Sequence, residues 1–135
     1  MKEIVAPAHL EPCDLLRGAQ TVICYFIPFS EEVVCSNIKG SFSSREWGVA
    51  YLETNNLIED LNQNLKKELS KLGAGAALIP ATHNFNEETL LSNWSHRHVA
   101  FMAGLGNLGI NNMLITEKGC CGRIGSVVTT LELPP

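Results

Sequence analysis

Apolar and polar residues follow one another along the chain in blocks that predict a succession of strands and helices. The run Thr21–Ile27 is β-branched and aromatic and carries no charge, and Pro28 follows it. This composition is typical of a buried strand that ends at the proline. Residues 30–42 are mixed and polar and predict a surface excursion.

A long amphipathic helix is predicted over residues 44–72. Ser43 as the N-cap and Glu46 three residues later fit a capping box, and Gly73 supplies a C-terminal stop. Leucine and isoleucine recur at spacings of three and four residues, which predicts that one face of this helix is buried. The residues of this stripe are Ile58, Leu61, Leu65, Leu69 and Leu72.

Shorter elements are predicted in the second half. The strands are 76–79, 113–116 and 125–133, and the helices are 87–91, capped by Asn84 or Asn86, and 95–103, which begins at Ser95 and stops at Gly104. Alternating strands and helices over 135 residues predict one domain, 1–135, of α/β or α+β class. The order of the strands in the sheet does not follow from this pattern.

The composition leaves the predicted elements unchanged and argues against several classes of protein. With 45% hydrophobic and 18% charged residues, the chain is not of the disordered class. The net charge of -4 weighs against a nucleic-acid binder that works by neutralising phosphates. No apolar run approaches the roughly 18 residues of a membrane span, so we expect a cytoplasmic protein that contacts no membrane.

The cysteines are five in number and none is spaced C-x-x-C. This pattern fits neither a disulfide framework nor a zinc ribbon and predicts free thiols. Iron–sulfur clusters need several thiolates along a loop, and the sequence contains no such loop. The five are Cys13, Cys24, Cys35, Cys120 and Cys121.

The run Gly104–Gly109 fits G-x-G-x-x-G. A dinucleotide site needs this run between a strand and a helix, with an acidic residue about twenty positions on. Here a predicted helix precedes it, a predicted strand follows it, and Arg123 and Gly125 lie near the expected acidic position. Two interpretations stay open: the glycines let the backbone approach a flat ligand or another segment, or they form a tight helix-to-strand turn.

A second glycine cluster spans Gly119–Gly125 and includes adjacent cysteines and one arginine. The adjacent Cys120 and Cys121 are best interpreted as small packing thiols in a turn. A guanidinium among glycines suits a phosphate or carboxylate, which makes Arg123 a candidate ligand for an anionic group. The alternative is a surface arginine.

Histidines supply the candidate proton donors. His96 and His98 point roughly 200° apart on a helix, so they cannot both bind one metal ion from the same face. His96 is the candidate catalytic residue, because an imidazole pKa lies near neutrality. The alternative for it is a helix-start hydrogen-bonding role. His83 is a further candidate, with an ordinary loop position as its alternative.

Together, these motifs resemble the core of the epoxyqueuosine reductase and reductive dehalogenase superfamily. The shared pattern is an arginine and an alanine on the incoming helix, then A-G-L-G-x-x-G-x-N, an apolar L-I strand and a G-x-x-x-x-[LI]-G-x-x-x-T turn. A looser match covers L-L-x-G-A-x-x-V-I at Leu15–Ile23. The matching positions are Arg97, Ala100, Ala103, Gly104, Leu105, Gly106, Gly109, Asn111, Leu114, Ile115, Gly119, Ile124, Gly125 and Thr129.

This resemblance implies a nitroreductase-like sheet flanked by helices and a bound cobalamin. It implies that iron–sulfur clusters on a ferredoxin-like module, or on a partner protein, supply the electrons. In this chain the cofactor would lie against Gly104, Leu105, Gly106, Asn107, Gly109 and Asn111, with Arg123 on an anionic group of the cofactor and His96 as proton donor.

Three departures from the family pattern keep other functions open. The cysteine-rich cluster loops are absent from the sequence, Leu90 takes the place of the family's aspartate, and Ile110 takes the place of a frequent lysine. The sequence therefore predicts a corrinoid-binding reductase domain that depends on an iron–sulfur module or partner. The alternatives are a non-catalytic dimerising α/β module, as a homodimer, and a flavin-binding nitroreductase-like protein.

Overall fold

A computed structural model describes residues 9–38, 40–81, 86–88 and 92–134. The helices are α1 (Pro12–Leu15), α2 (Glu31–Ser36), α3 (Arg45–Lys71) and α4 (His96–Met102). The strands are β1 (Thr21–Pro28), β2 (Ala76–Leu78), β3 (Asn107–Leu108), β4 (Leu114–Ile115) and β5 (Gly122–Thr129). The fold is mixed α/β with a long helix, as predicted. None of the helices in these ranges is long and apolar enough to cross a bilayer.

The main sheet has three strands in the order β1-β5-β2, and β5 runs antiparallel to both neighbours. β1 pairs with β5 along its whole length, from Thr21 opposite Thr129 to Pro28 opposite Gly122. The last strand was predicted to begin at Gly125, whereas β5 begins at Gly122 and ends at Thr129. The prediction missed the first three residues because their glycine content suggested a turn.

Helix α3 forms nearly where predicted, with a different N-cap. The side chain of Ser44, not Ser43, accepts a hydrogen bond from the backbone N–H of Trp47, so the predicted capping box with Glu46 is wrong by one residue. The stop at Gly73 is confirmed: its N–H donates to the Ser70 carbonyl at 3.0 Å. The polar excursion 30–42 contains α2, which was not predicted.

The predicted helix over 87–91 lies largely outside the described residues. Residues 87 and 88 form a turn, in which the Asn86 side chain accepts a hydrogen bond from the Glu88 N–H at 3.0 Å. Asn84, the other predicted cap, also lies outside the described residues.

The two faces of the sheet pack against different helices, because successive residues of β5 point to opposite sides. On the α3 face, Val127 packs with Leu69 and Ala74. On the α4 face, Val128 packs in a second core cluster, with Ile79, Trp94 and Val99.

The apolar stripe of α3 is buried only along its centre. Ile58 and Leu69 are buried, but Leu61 is 37% exposed and Leu72 is 68% exposed, so the prediction that the whole stripe is buried is wrong at these two positions. Both lie at the margins of the packed face.

Glycines in β5 leave room for the aromatic side chains of β1. A methyl group at Gly125 would overlap the ring of Tyr25, and one at Gly122 would overlap Phe26 and the Ile27 carbonyl. The Tyr25 ring cannot easily move away, because its hydroxyl donates a hydrogen bond to Asn62 on α3. These glycines therefore fix how β1 and α3 approach β5.

We expect Gly125→Ala to lower the free energy of unfolding by about 1–3 kcal/mol, the usual effect of overpacking a filled site. The matched control is Gly48→Ala in α3, where nothing lies within 4 Å of an added methyl group. That change should raise stability by about 0.5–1 kcal/mol, since alanine favours a helix. Urea unfolding of both variants measures the difference; equal midpoints would contradict this packing role.

Candidate functional site

The first glycine of the run, Gly104, ends helix α4. It has φ 75°, and the N–H groups of Gly104 and Leu105 donate to the carbonyls of Phe101 and Ala100 at 3.1 and 3.0 Å. The run continues into a hairpin in which β3 pairs with β4. A helix precedes the run and a hairpin follows it, so the strand-turn-helix arrangement of a dinucleotide site does not form here.

The second glycine, Gly106, lets two backbone segments meet. A methyl group on it would overlap the carbonyl of Ile115, on the opposite strand of the hairpin. Of the two interpretations that the sequence left open, close approach to another protein segment accounts for Gly106, and the helix stop accounts for Gly104.

Gly109 and Asn111 lie in the turn that joins β3 to β4. The Gly109 N–H donates to the Met113 carbonyl at 2.9 Å, and the Asn111 side chain accepts from the Met113 N–H at 3.2 Å. Asn112 follows with φ 61°. These contacts shape the hairpin, and neither Gly109 nor Asn111 is among the described residues that line the cleft beside it.

That cleft has a volume of about 860 Å³, and we call it the glycine cleft. Its walls come from three segments: residues 24–26 of β1, residues 104–107 of the glycine run and residues 115–118 at the end of the hairpin. The structure therefore brings Gly104, Leu105, Gly106 and Asn107 of the predicted site together. The other two walls were not predicted from the sequence.

The β1 wall of the glycine cleft carries groups that are neutral near pH 7. Burial raises the pKa of the Cys24 thiol to about 12, and its Sγ donates a hydrogen bond to the Gly125 carbonyl at 3.4 Å. Burial also raises the pKa of Tyr25 to about 12. Among the described lining residues, the charges of the cleft belong to Glu117 and Lys118.

His96 and Arg123 line a different pocket, of about 250 Å³, which we call the arginine pocket. Arg123 donates from Nε to the side-chain oxygen of Asn55 at 2.9 Å, and its guanidinium lies 4.2 Å above the centroid of the Tyr51 ring. The described lining residues of the two pockets do not overlap. The structure thus separates these two predicted site residues from the glycine run.

His96 belongs to a buried chain of hydrogen bonds. Its Nε2 lies 2.8 Å from the Pro80 carbonyl, which can only accept, so Nε2 carries the proton. Its Nδ1 therefore accepts from the Ser126 hydroxyl at 2.8 Å, and that hydroxyl accepts from the Trp94 indole N–H at 3.2 Å. This arrangement links α4 to β5. The catalytic role of His96 and its alternative, a hydrogen-bonding role at the helix start, both stay predictions.

The remaining residues that the sequence pattern singled out are His98, His83, Leu90 and the five cysteines. His98 packs away from His96, with Nδ1 2.7 Å from the Ser95 hydroxyl. His83 and Leu90 lie outside the described residues. All five cysteines carry free thiols, and the exposed Cys120 adjoins the half-buried Cys121 in the turn before β5.

Comparison with known proteins gives one distant relative. No protein-family model matches the chain, and no solved structure matches it. The chain is 28% identical over 131 residues to an epoxyqueuosine reductase from Lactococcus garvieae (strain Lg2), with 93% of this chain and 34% of that protein covered. The chain thus spans about a third of the length of this curated relative. The similarity supports a distant relationship to a reductase.

We expect His96→Ala to lower the free energy of unfolding by about 1–3 kcal/mol, because it leaves the Ser126 hydroxyl and the Pro80 carbonyl without this partner in a buried site. Ser126→Ala should give a loss of similar size. Urea unfolding of the two single variants and of the double variant tests this chain of hydrogen bonds. The double variant should lose less stability than the sum of the two single losses. Strictly additive losses of stability, or an unchanged unfolding midpoint for His96→Ala, would show that these hydrogen bonds do not stabilise the fold.

Proposed function

We propose that this chain is a reductase-related domain whose glycine cleft binds a corrinoid. The observation that carries the proposal is the cleft itself, in which the bare backbone at Gly104 faces β1 and the end of the hairpin. The similarity to an epoxyqueuosine reductase supports the same conclusion. The proposal also includes an iron–sulfur module or partner as the source of electrons.

The residues of the cleft fit such a group. A corrinoid is a broad, flat macrocycle with amide groups on its rim, so it needs apolar area beside a polar border. The cleft's 860 Å³ lies near the upper end of the range for small-molecule sites, about 300–1,000 Å³. Apart from its neighbours in the chain, no described atom lies within 4 Å of a methyl group placed on Gly104, and Ile115 is 52% exposed. The exposed Asn107 and Lys118 supply hydrogen-bonding groups.

Each wall of the cleft has a separate task in this proposal. The backbone of residues 104–107 receives the flat face of the macrocycle, since a glycine presents no side chain there. Cys24 stays a neutral thiol, so β1 brings no charge against the bound group. Asn107 and Lys118 orient the rim through hydrogen bonds. When bound, the corrinoid supplies a reducing metal centre, which is chemistry that the side chains themselves lack.

The other residues of the predicted site are not among the described lining residues of the glycine cleft. Gly109 and Asn111 shape the hairpin, and His96 and Arg123 line the arginine pocket. Their roles as cofactor ligands or proton donor stay predictions.

Titration of the purified chain with cobalamin, followed by its visible spectrum, tests the proposal. We expect a saturable spectral shift with the wild type. Ile115→Glu places a charge against the macrocycle and should weaken binding at least about tenfold, because an unpaired charge is costly to bury. The matched control is Ile110→Glu, a fully exposed position on the same hairpin, which should bind as the wild type does.

Two outcomes contradict the proposal: no spectral change with the wild type, or equal weakening in both variants. Bound yellow flavin in the purified protein would favour the flavin alternative instead.

A homodimer is a second candidate, because α3 exposes apolar side chains away from its packed face. Val49 is 44% exposed and Leu52 is 64% exposed. These residues lie three apart, on one side of the helix. We expect a dimer in sedimentation velocity that Leu52→Glu converts to monomer; a monomeric wild type would remove this candidate.

A further inference from the structure

Two arginines line the arginine pocket, and none of its described lining residues is acidic. Arg97 of α4 and Arg123 of β5 both line it. No aspartate or glutamate is among its described lining residues, and the ion pair found in the described part of the chain joins Lys71 to Glu68 on α3. The described lining of this pocket of about 250 Å³ therefore includes two arginines and no carboxylate.

Arg97 holds a donor that the fold does not satisfy. Its Nε is buried and has no hydrogen-bond partner among the described residues. A buried charged donor without a partner is costly, since it loses its water and gains nothing in return. Native proteins rarely keep such a group unless a ligand, a water or an ion supplies the acceptor.

Arg123 is held in place by two contacts that do not use its terminal nitrogens. Nε donates to Asn55, and the guanidinium plane stacks over Tyr51. These two contacts fix the position of the group without using its terminal N–H donors. A guanidinium that is fixed in this way loses little further freedom on binding an oxyanion through paired hydrogen bonds.

The charge of Arg97 also affects the neighbouring histidine, His98. The pKa of His98 is lowered first by burial, then by the charge of Arg97 and by His9. The adjacent imidazole therefore favours its neutral form, which avoids a further positive charge beside the pocket.

We infer that the arginine pocket is a binding site for a phosphate group, either inorganic phosphate or the terminal phosphate of a small ester. Two guanidiniums match a dianion with several acceptor oxygens. A volume of about 250 Å³ admits such a group with little attached to it. This site is separate from the glycine cleft and does not depend on a corrinoid there.

The test is a calorimetric titration of the full chain with inorganic phosphate at an ionic strength held constant with sodium chloride. Separate titrations under the same conditions use methyl phosphate and acetate. We expect saturable binding of both phosphates and none of acetate. Arg97→Gln and Arg123→Gln should each weaken phosphate binding about tenfold or more, the usual effect of losing a charge-assisted hydrogen bond. Arg17→Gln, an exposed arginine outside the pocket, should bind as the wild type does.

The unfolding midpoint of each variant shows whether it folds. Arg97→Lys serves if Arg97→Gln does not fold: it keeps the charge, loses the planar fork, and should still bind more weakly than the wild type. The inference is overturned if the wild type shows no saturation, if acetate binds as tightly as phosphate, or if Arg17→Gln weakens binding as much as the pocket variants do.

Discussion

The pairing of β1 with β5 is the constraint on which the rest of the structure depends. It sets Tyr25 opposite Gly125, so the tyrosine ring lies over a residue without a side chain and reaches Asn62 on α3. One position further along β5, Ser126 points to the other face and holds both Trp94 and His96. A single strand thus fixes the long helix on one side and the short helix on the other.

The glycines that resemble a reductase motif have mostly structural causes in this chain. Gly106 permits the hairpin to close against Ile115, and Gly125 makes room for the ring of Tyr25. In this chain the glycine pattern therefore reports first that backbones and rings approach one another closely. Contact with a cofactor is a separate question. Of the two glycines that line the glycine cleft, Gly104 is the one beside which the space for a side chain is empty.

Local patterns sufficed for most elements, because strand composition, helix caps and glycine stops act over a few residues. They could not fix the sheet order or the partners of His96, since its contact with Ser126 spans thirty residues of sequence. The same limit explains why residues predicted to form one site line two different pockets. Arg123 and Gly104 were predicted to share a site because both lie in glycine-rich runs. In the structure Arg123 lies on β5, contacts Asn55 and lines the arginine pocket, whereas Gly104 follows α4 and lines the glycine cleft.

Helix α4 connects the two pockets physically. Its first turn places His96 and Arg97 at the arginine pocket, and the stop after its last turn places Gly104 at the glycine cleft. Seven helical residues span about 10 Å, so a ligand in either pocket lies roughly one short helix from the other. Val99 and Ala100 are buried and His96 is hydrogen-bonded to Ser126, which ties the helix to the sheet. The separation of the two pockets is therefore a fixed property of the fold, set by the contacts between α4 and β5.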